Sequence, residues 1–378
     1  TRPALEVLKE INHHGVSVAE IRRSASTNRW EYVVDAPLNN RVTAQSVTRI
    51  SGPAAHLADI RSFMVTAYDT TGATARGTLN NCGHGKTPWG TYLGCEENWA
   101  FYFNNSVAPT GLTAKQIAGR ARYGVPTTAF STVAPVNRNS QGWYAVTPTD
   151  NRFARWDIAT TGATAADDYR NEPNTFGYNV EIDPLNPNAR PAKRVAMGRF
   201  AHEAAVPSLP VTGEPLAFYM GCDSNNEYVY KFVSTAVWNP ADIGGGMAAG
   251  DKYLDEGKLY VAKFNDNGTG EWIELTLTNP LISGYSVYAF ANQADVFVHA
   301  RHAATAVGAT RMDRPEWGAI NPRNGEVYFT MTNNSTRTVA NADAANPRAY
   351  ADNDGRRRTG NPNGHIIRLR ENGAVKAT

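Results

Sequence analysis

Short runs rich in Val, Tyr, Phe, Trp and Thr recur along the chain, separated by clusters of Gly, Asn, Asp and Pro. Runs of that length and composition, bounded by turn formers, predict strands. The pattern places them at 61–68, 91–95, 99–103, 216–220, 227–234, 258–264, 271–277, 325–332 and 365–370. Most connections read as hairpin turns. The plainest is NDNGTG at 265–270, because Asn and Gly tolerate positive φ. Two helices are predicted between strand groups. One covers 113–122 with Thr113 as N-cap. The other covers 295–307, where Val296, Ala300, Ala303 and Val307 share a face and Gly308 follows as a stop.

Three segments share a loose form, a turn ending in Gly followed by a strand. They are NPRNGEVYFT (321–330), EGKLYVAKF (256–264) and NGHIIRLR (363–370). Their spacing is irregular. The form fits blades of a β-propeller, with a β-sandwich as the alternative. The stretch 109–179 is rich in Ala, Thr, Asn and Pro and weakly periodic, so it reads as a loop-rich insertion. No linker composition forces a boundary, and residues 1–378 are expected to form a single all-β domain with a few inserted helices and long loops.

Composition narrows the classes. A hydrophobic fraction of 42% supports a substantial core, and a formal charge of +2 gives no nucleic-acid signature. The basic run Arg356–Arg358 beside Asp352 and Asp354 reads as a solvated loop. No apolar run approaches the ~20 residues of a membrane helix. The sequence opens on Thr1 with no visible signal peptide. Three cysteines, Cys82, Cys95 and Cys222, exclude a disulfide-rich scaffold.

The densest chemistry is LNNCGHGKTPWGTYLGCEEN at 79–98, which combines a thiol, an imidazole, amides, a Lys and the pair Glu96–Glu97. Cys82 and Cys95 are too far apart for a zinc knuckle. If the strand continues, Glu96 and Glu97 point to opposite faces, so only one need face a site. A metal site and a tight loop with a surface acid pair both fit. GRFAHEAA (198–205) offers His202 and Glu203, as ligands or as a satisfied edge contact. In MDRPEWG (312–318), Arg314 and Glu316 flank a rigid Pro. Arg suits a multiply charged oxyanion such as phosphate, and a surface salt-bridge cluster is the alternative. Asp223, Asn225, Asn226 and Glu227 carry calcium-type oxygens, although an ordinary polar hairpin loop explains them as well. DNDG at 352–355 lacks the spacing and distal Glu of an EF-hand. No GxSxG elbow, Walker loop or Rossmann glycine fingerprint is present.

Taken together, NCGHGKTPWGTYLGCEENW (81–99), GRFAHEAA (198–205), LDEGKLYVAKFNDNGTGEW (254–272), VGATRMDRPEWGAINPRNGEVYFTMTNNS (307–335) and GHIIRLRE (364–371) resemble the PhoX family of bacterial alkaline phosphatases. TPWGT followed by CEEN, with RPEW downstream, is very specific. The resemblance implies a six-bladed β-propeller, exported by the twin-arginine route to act in the periplasm or outside the cell. It implies a monomeric phosphomonoesterase with two ferric ions and several calcium ions, bridged by an oxo group. A metal-bound oxo or hydroxo group would attack phosphorus, so no side-chain nucleophile is required. By motif position, Cys82 would be the thiolate on iron. Glu97, Glu203 and Glu316 would be carboxylates shared among the metals, and Arg314 would hold the phosphate of the phosphomonoester. His84 and Lys86 receive no role. Relative to the family the chain looks shortened at both ends, so a non-catalytic propeller remnant that binds phosphate or a protein partner is the competing expectation. A calcium-dependent propeller lactonase would leave Cys82 unexplained.

Overall fold

Strands dominate the computed structural model, which describes residues 1–129, 141–349 and 360–373. Asp352–Gly355 and Arg356–Arg358 lie outside the described residues. A six-stranded sheet runs in the order Thr74–Arg76, Val47–Ser51, Ala192–Arg194, Asn179–Ile182, Tyr92–Glu96, Asn81–Lys86. All its neighbours are antiparallel except Val47–Ser51 and Ala192–Arg194. A five-stranded antiparallel sheet follows, ordered Val206–Pro207, Pro215–Gly221, Val229–Val237, Gly257–Phe264, Gly270–Glu274. A three-stranded antiparallel sheet comprises Pro315–Ile320, Val327–Met331 and His365–Leu369. Between the last two, Asn225–Glu227 pairs with Met312–Asp313.

The five-stranded sheet is covered on both faces, and its sequence shows why. Side chains alternate across a strand. Phe218, Met220, Tyr230, Phe232, Leu259 and Val261 enter one hydrophobic cluster. Their neighbours Ala217, Tyr219, Val229, Val233, Tyr260 and Ala262 enter another. Each large side chain so buried contributes roughly 1.5–3 kcal/mol. That burial holds rigid the strand end from which the site is built.

Several predicted elements change type. Residues 61–68 are not a strand: the chain there leaves the helix Leu57–Ser62 and turns. Ile60 and Met64, four apart, are both fully buried, a helical rather than extended spacing. Residues 99–103 form the 3-10 helix Trp99–Tyr102 followed by Phe103. Trp99, Tyr102 and Phe103 pack into an aromatic cluster with Trp143, Phe153, Trp156 and Phe176 and with Val7 and Ile11 of helix Ala4–His13. The weakly periodic 109–179 segment therefore supplies much of a buried core. Helix Ala114–Arg122 starts on Thr113 with a full capping box to Gln116. The predicted 295–307 helix is two, Gln293–Val298 and Ala300–Ala306, broken at His299 with φ −118° and ψ 40°. Among the described residues no helix is long and apolar enough to cross a membrane.

At that break, Asp295 accepts from His299 Nδ1 at 2.9 Å, Tyr288 OH at 2.7 Å and the Ala291 N–H at 3.0 Å, and it pairs with Lys115. Burial opposes its ionisation, but His299 and Lys115 outweigh it, and the carboxyl is held at about 2. A depressed carboxyl pKa stabilises the fold above the ordinary value of 3.8, and that stability is lost as pH falls through about 2. Asp295→Asn should therefore lower the melting temperature at pH 6, and the gap from wild type should close as pH approaches 2.

Candidate metal centre

Cys82 owes its direction to a β-bulge. Asn81 pairs with Glu96 and His84 with Gly94, so Cys82 and Gly83 together oppose Cys95 alone. The extra residue bends the strand and re-aims its side chains. Gly83 is required at this point, because a Cβ there would overlap the carbonyl oxygen of Glu203. The close approach brings the 202–205 segment against the strand that carries Cys82.

That segment spans two sheets. The His202 N–H donates to Glu96 O at 2.9 Å, and the Glu203 N–H donates to Gly221 O at 3.2 Å. His202 also bridges Cys222, and the Asp223 N–H donates to Ala201 O at 3.0 Å. Glu203 is thereby fixed between the end of the six-stranded sheet and the end of Pro215–Gly221. Glu316 enters from the start of the strand Pro315–Ile320 in the three-stranded sheet.

The adjacent acids separate as strand alternation predicts. Glu96 is fully buried, pairs with buried Lys193 and accepts from the N–H groups of Gly177 at 2.9 Å and Tyr178 at 3.1 Å. Its role is structural. Lys193→Met should leave that carboxylate buried without its cation and cost about 3–5 kcal/mol in denaturant unfolding. Glu97 turns the other way and joins Cys82.

Ligand atoms of Cys82, Glu97 and Glu203 all lie within 4.8 Å of one another. Those of Glu203, Asp223 and Glu316 form a second such group, with Glu203 common to both. Arg314 closes the far side. It donates to Asp223 Oδ2 at 2.8 Å, Glu316 Oε1 at 3.3 Å and Asn333 Oδ1 at 2.9 Å. Its own φ is +54°, a left-handed conformation uncommon outside glycine.

Four carboxyls and a thiol thus face one guanidinium. Burial, then Asp223 and Glu203, push the Glu97 carboxyl up to about 8. Burial pushes Glu203 to about 7, with Glu316 and Asp223 adding to it against the Cys82 hydrogen bond. The Cys82 thiol is raised by burial and by Glu203 and Glu97. Glu203 Oε2 and Asp223 Oδ1 are buried and lack a hydrogen-bond partner among the described residues. Such orphaned oxygens in a negative cluster are costly unless a cation meets them. A thiolate beside carboxylates suits a mixed set of soft- and hard-preferring ions. The residues present fit a metal cluster.

Asp223 is the residue that sequence reasoning undervalued. Its neighbours go elsewhere: Glu227 is held by Arg122 at 2.5 Å and Arg301 at 2.6 Å, and Asn226 donates to Thr336. His202 is fully buried, donates from Nε2 to Gly198 O at 2.9 Å and stacks on Phe200. Burial pulls it down to about 3, so it is a neutral packing group. Cys95 and Cys222 are buried and belong to neither ligand group, and His84 stacks on Tyr92.

The profile of the family described as alkaline phosphatase PhoX matches residues 3–378. The chain belongs to this family. Among solved structures, this PhoX-family chain is similar to Pseudomonas fluorescens PhoX in complex with vanadate, a transition-state analogue. The TM-score is 0.78 at 37% identity, covering 98% of this chain and 57% of that one. The chain thus spans a little over half the length of the structure it matches. No curated protein matches it.

Proposed function

We propose that this PhoX-family chain is a metal-dependent phosphomonoesterase that releases phosphate from phosphoesters. The observation that carries the proposal is the convergence of Cys82, Glu97, Glu203, Asp223 and Glu316, with unpartnered buried oxygens, on the guanidinium of Arg314. The vanadate bound to the related Pseudomonas structure mimics a phosphoryl group in transfer, which agrees with this reading. Cys82, Glu97, Glu203 and Glu316 would hold iron and calcium, two ferric ions and several calcium ions, and Asp223 joins them. When bound, such ions act as Lewis acids toward phosphoryl oxygens.

The chain's own contribution is placement. Arg314 presents a planar fork suited to two phosphate oxygens, and Asp223 and Asn333 fix its plane. Glu203 ties the two ligand groups into one unit. We further propose that the sheets are blades of a six-bladed β-propeller, and that the protein works as a monomer in the periplasm or outside the cell. A non-catalytic remnant would have no reason to keep the ligand set together, so catalysis is favoured.

The test is direct. Purified protein supplied with both metals should bind iron and calcium, show visible thiolate-to-ferric absorption, and hydrolyse p-nitrophenyl phosphate in a chelator-sensitive way. Metal-supplemented protein that takes up no iron and shows no turnover defeats the proposal.

A further inference from the structure

A cavity of about 380 Å³ lies beside helix Ala114–Arg122 and the break at His299, and no residue of the metal cluster lines it. Its volume falls in the range of small-molecule sites. Lys115, Arg120 and Arg199 reach its wall, with Phe63, Tyr288 and His299.

Among the described residues, two of these cations lack an ion-paired acid. Arg120 donates only to neutral oxygens, Asn105 Oδ1 at 3.4 Å, Ile158 O at 3.1 Å and Arg170 O at 2.9 Å. Arg199 donates to the carbonyls of Pro173 at 2.8 Å, Phe176 at 2.9 Å and Val298 at 3.5 Å. It lies 4.3 Å above Trp99 and 4.4 Å above Tyr123, which offsets part of its desolvation but cancels no charge. Nearby acids are committed: Asp168 to Arg170, and Asp295 to Lys115 and His299. Among the described residues, neither Arg120 nor Arg199 makes an ion pair. Burial pulls Arg120 down to about 10 against the charge of Asp168, and it lowers Arg199, the direction expected of buried cations.

Gly119 lines the same cavity. Gly119 sits inside the helix, where it costs about 1 kcal/mol relative to Ala. A Cβ there would come within 2.9 Å of His299 Nε2 and 3.5 Å of the Tyr288 ring.

We propose that this cavity binds a small organic anion, its oxyanion head held by Arg120 and Arg199 and its apolar body against Phe63 and Tyr288. A carboxylate and a phosphate both match a guanidinium fork. The site stands independently of the phosphatase reading.

Calorimetric titration with 4-bromobenzoate and with phenylphosphonate separates the two head groups. At least one probe should bind outside the metal centre, in addition to any phenylphosphonate held at Arg314. Gly119→Leu, which fills the cavity, should weaken binding outside the metal centre by at least about tenfold, and Arg314→Ala should leave it unchanged. Because Gly119→Leu can also disturb the helix, crystals of the wild-type chain soaked in 4-bromobenzoate provide a second readout. An anomalous bromine peak in the cavity supports the site, and its absence from the cavity overturns the carboxylate form. Failure of both probes to bind overturns the proposal outright. So does binding of both probes that Arg314→Ala removes in full and Gly119→Leu spares.

Discussion

Cys82→Ala is expected to remove bound iron and phosphatase turnover together. Cys82 is the only sulfur in either ligand group, and Cys95 and Cys222 are buried and belong to neither. Changes to groups that merely support a ligand cost about 10–100-fold in metal affinity or activity. Loss of the thiolate itself should exceed about 100-fold. Cys82 is exposed, so its truncation opens no core cavity and the variant should fold. Metal analysis, visible absorption and kinetics on the folded variant check the outcome together. A variant that stays coloured and active refutes Cys82 as a ligand.

Arg314→Lys should lower kcat/KM by about 10²–10³-fold, the range seen when one preorganised donor to a developing oxyanion is removed. Lys keeps the charge but not the fork, and it cannot span Asp223 and Asn333 as Arg314 does. Iron and calcium content should be unchanged, because Arg314 supplies no ligand atom. Inhibition by inorganic phosphate should weaken in parallel with the rise in KM. Lost metal in this variant would mean that Arg314 holds the cluster together rather than the substrate.

Much of the site could be read in the sequence because its chemistry is odd there. A thiol, glycines and paired acids in one stretch have few structural uses, and Pro315 between Arg314 and Glu316 fixes two charged groups at once. Alternation says that only one of Glu96 and Glu97 need face a site, and the family motif, not the alternation, points to Glu97. Asp223 was not legible in the same way. DSNNE has the composition of any polar turn, and only pairing of His202 with Cys222 carries Asp223 to Glu203. That pairing is a tertiary event without a local signal. The long strands of the five-stranded sheet were legible because both their faces are buried. Residues 99–103 misled because a short aromatic run has no readable period, and it curls to meet Trp143 and Trp156. The helix preceding 61–68 showed itself only in the four-residue spacing of Ile60 and Met64.

The position of Glu203 in both ligand groups also bears on how the protein resists unfolding. Its partners come from distant parts of the chain and from the ends of three different sheets. Ions held there would act as cross-links that close long chain loops, removing freedom from the unfolded ensemble. They would also bind the folded state alone and stabilise it by mass action. Stripping them should loosen the sheets from one another before any single sheet melts.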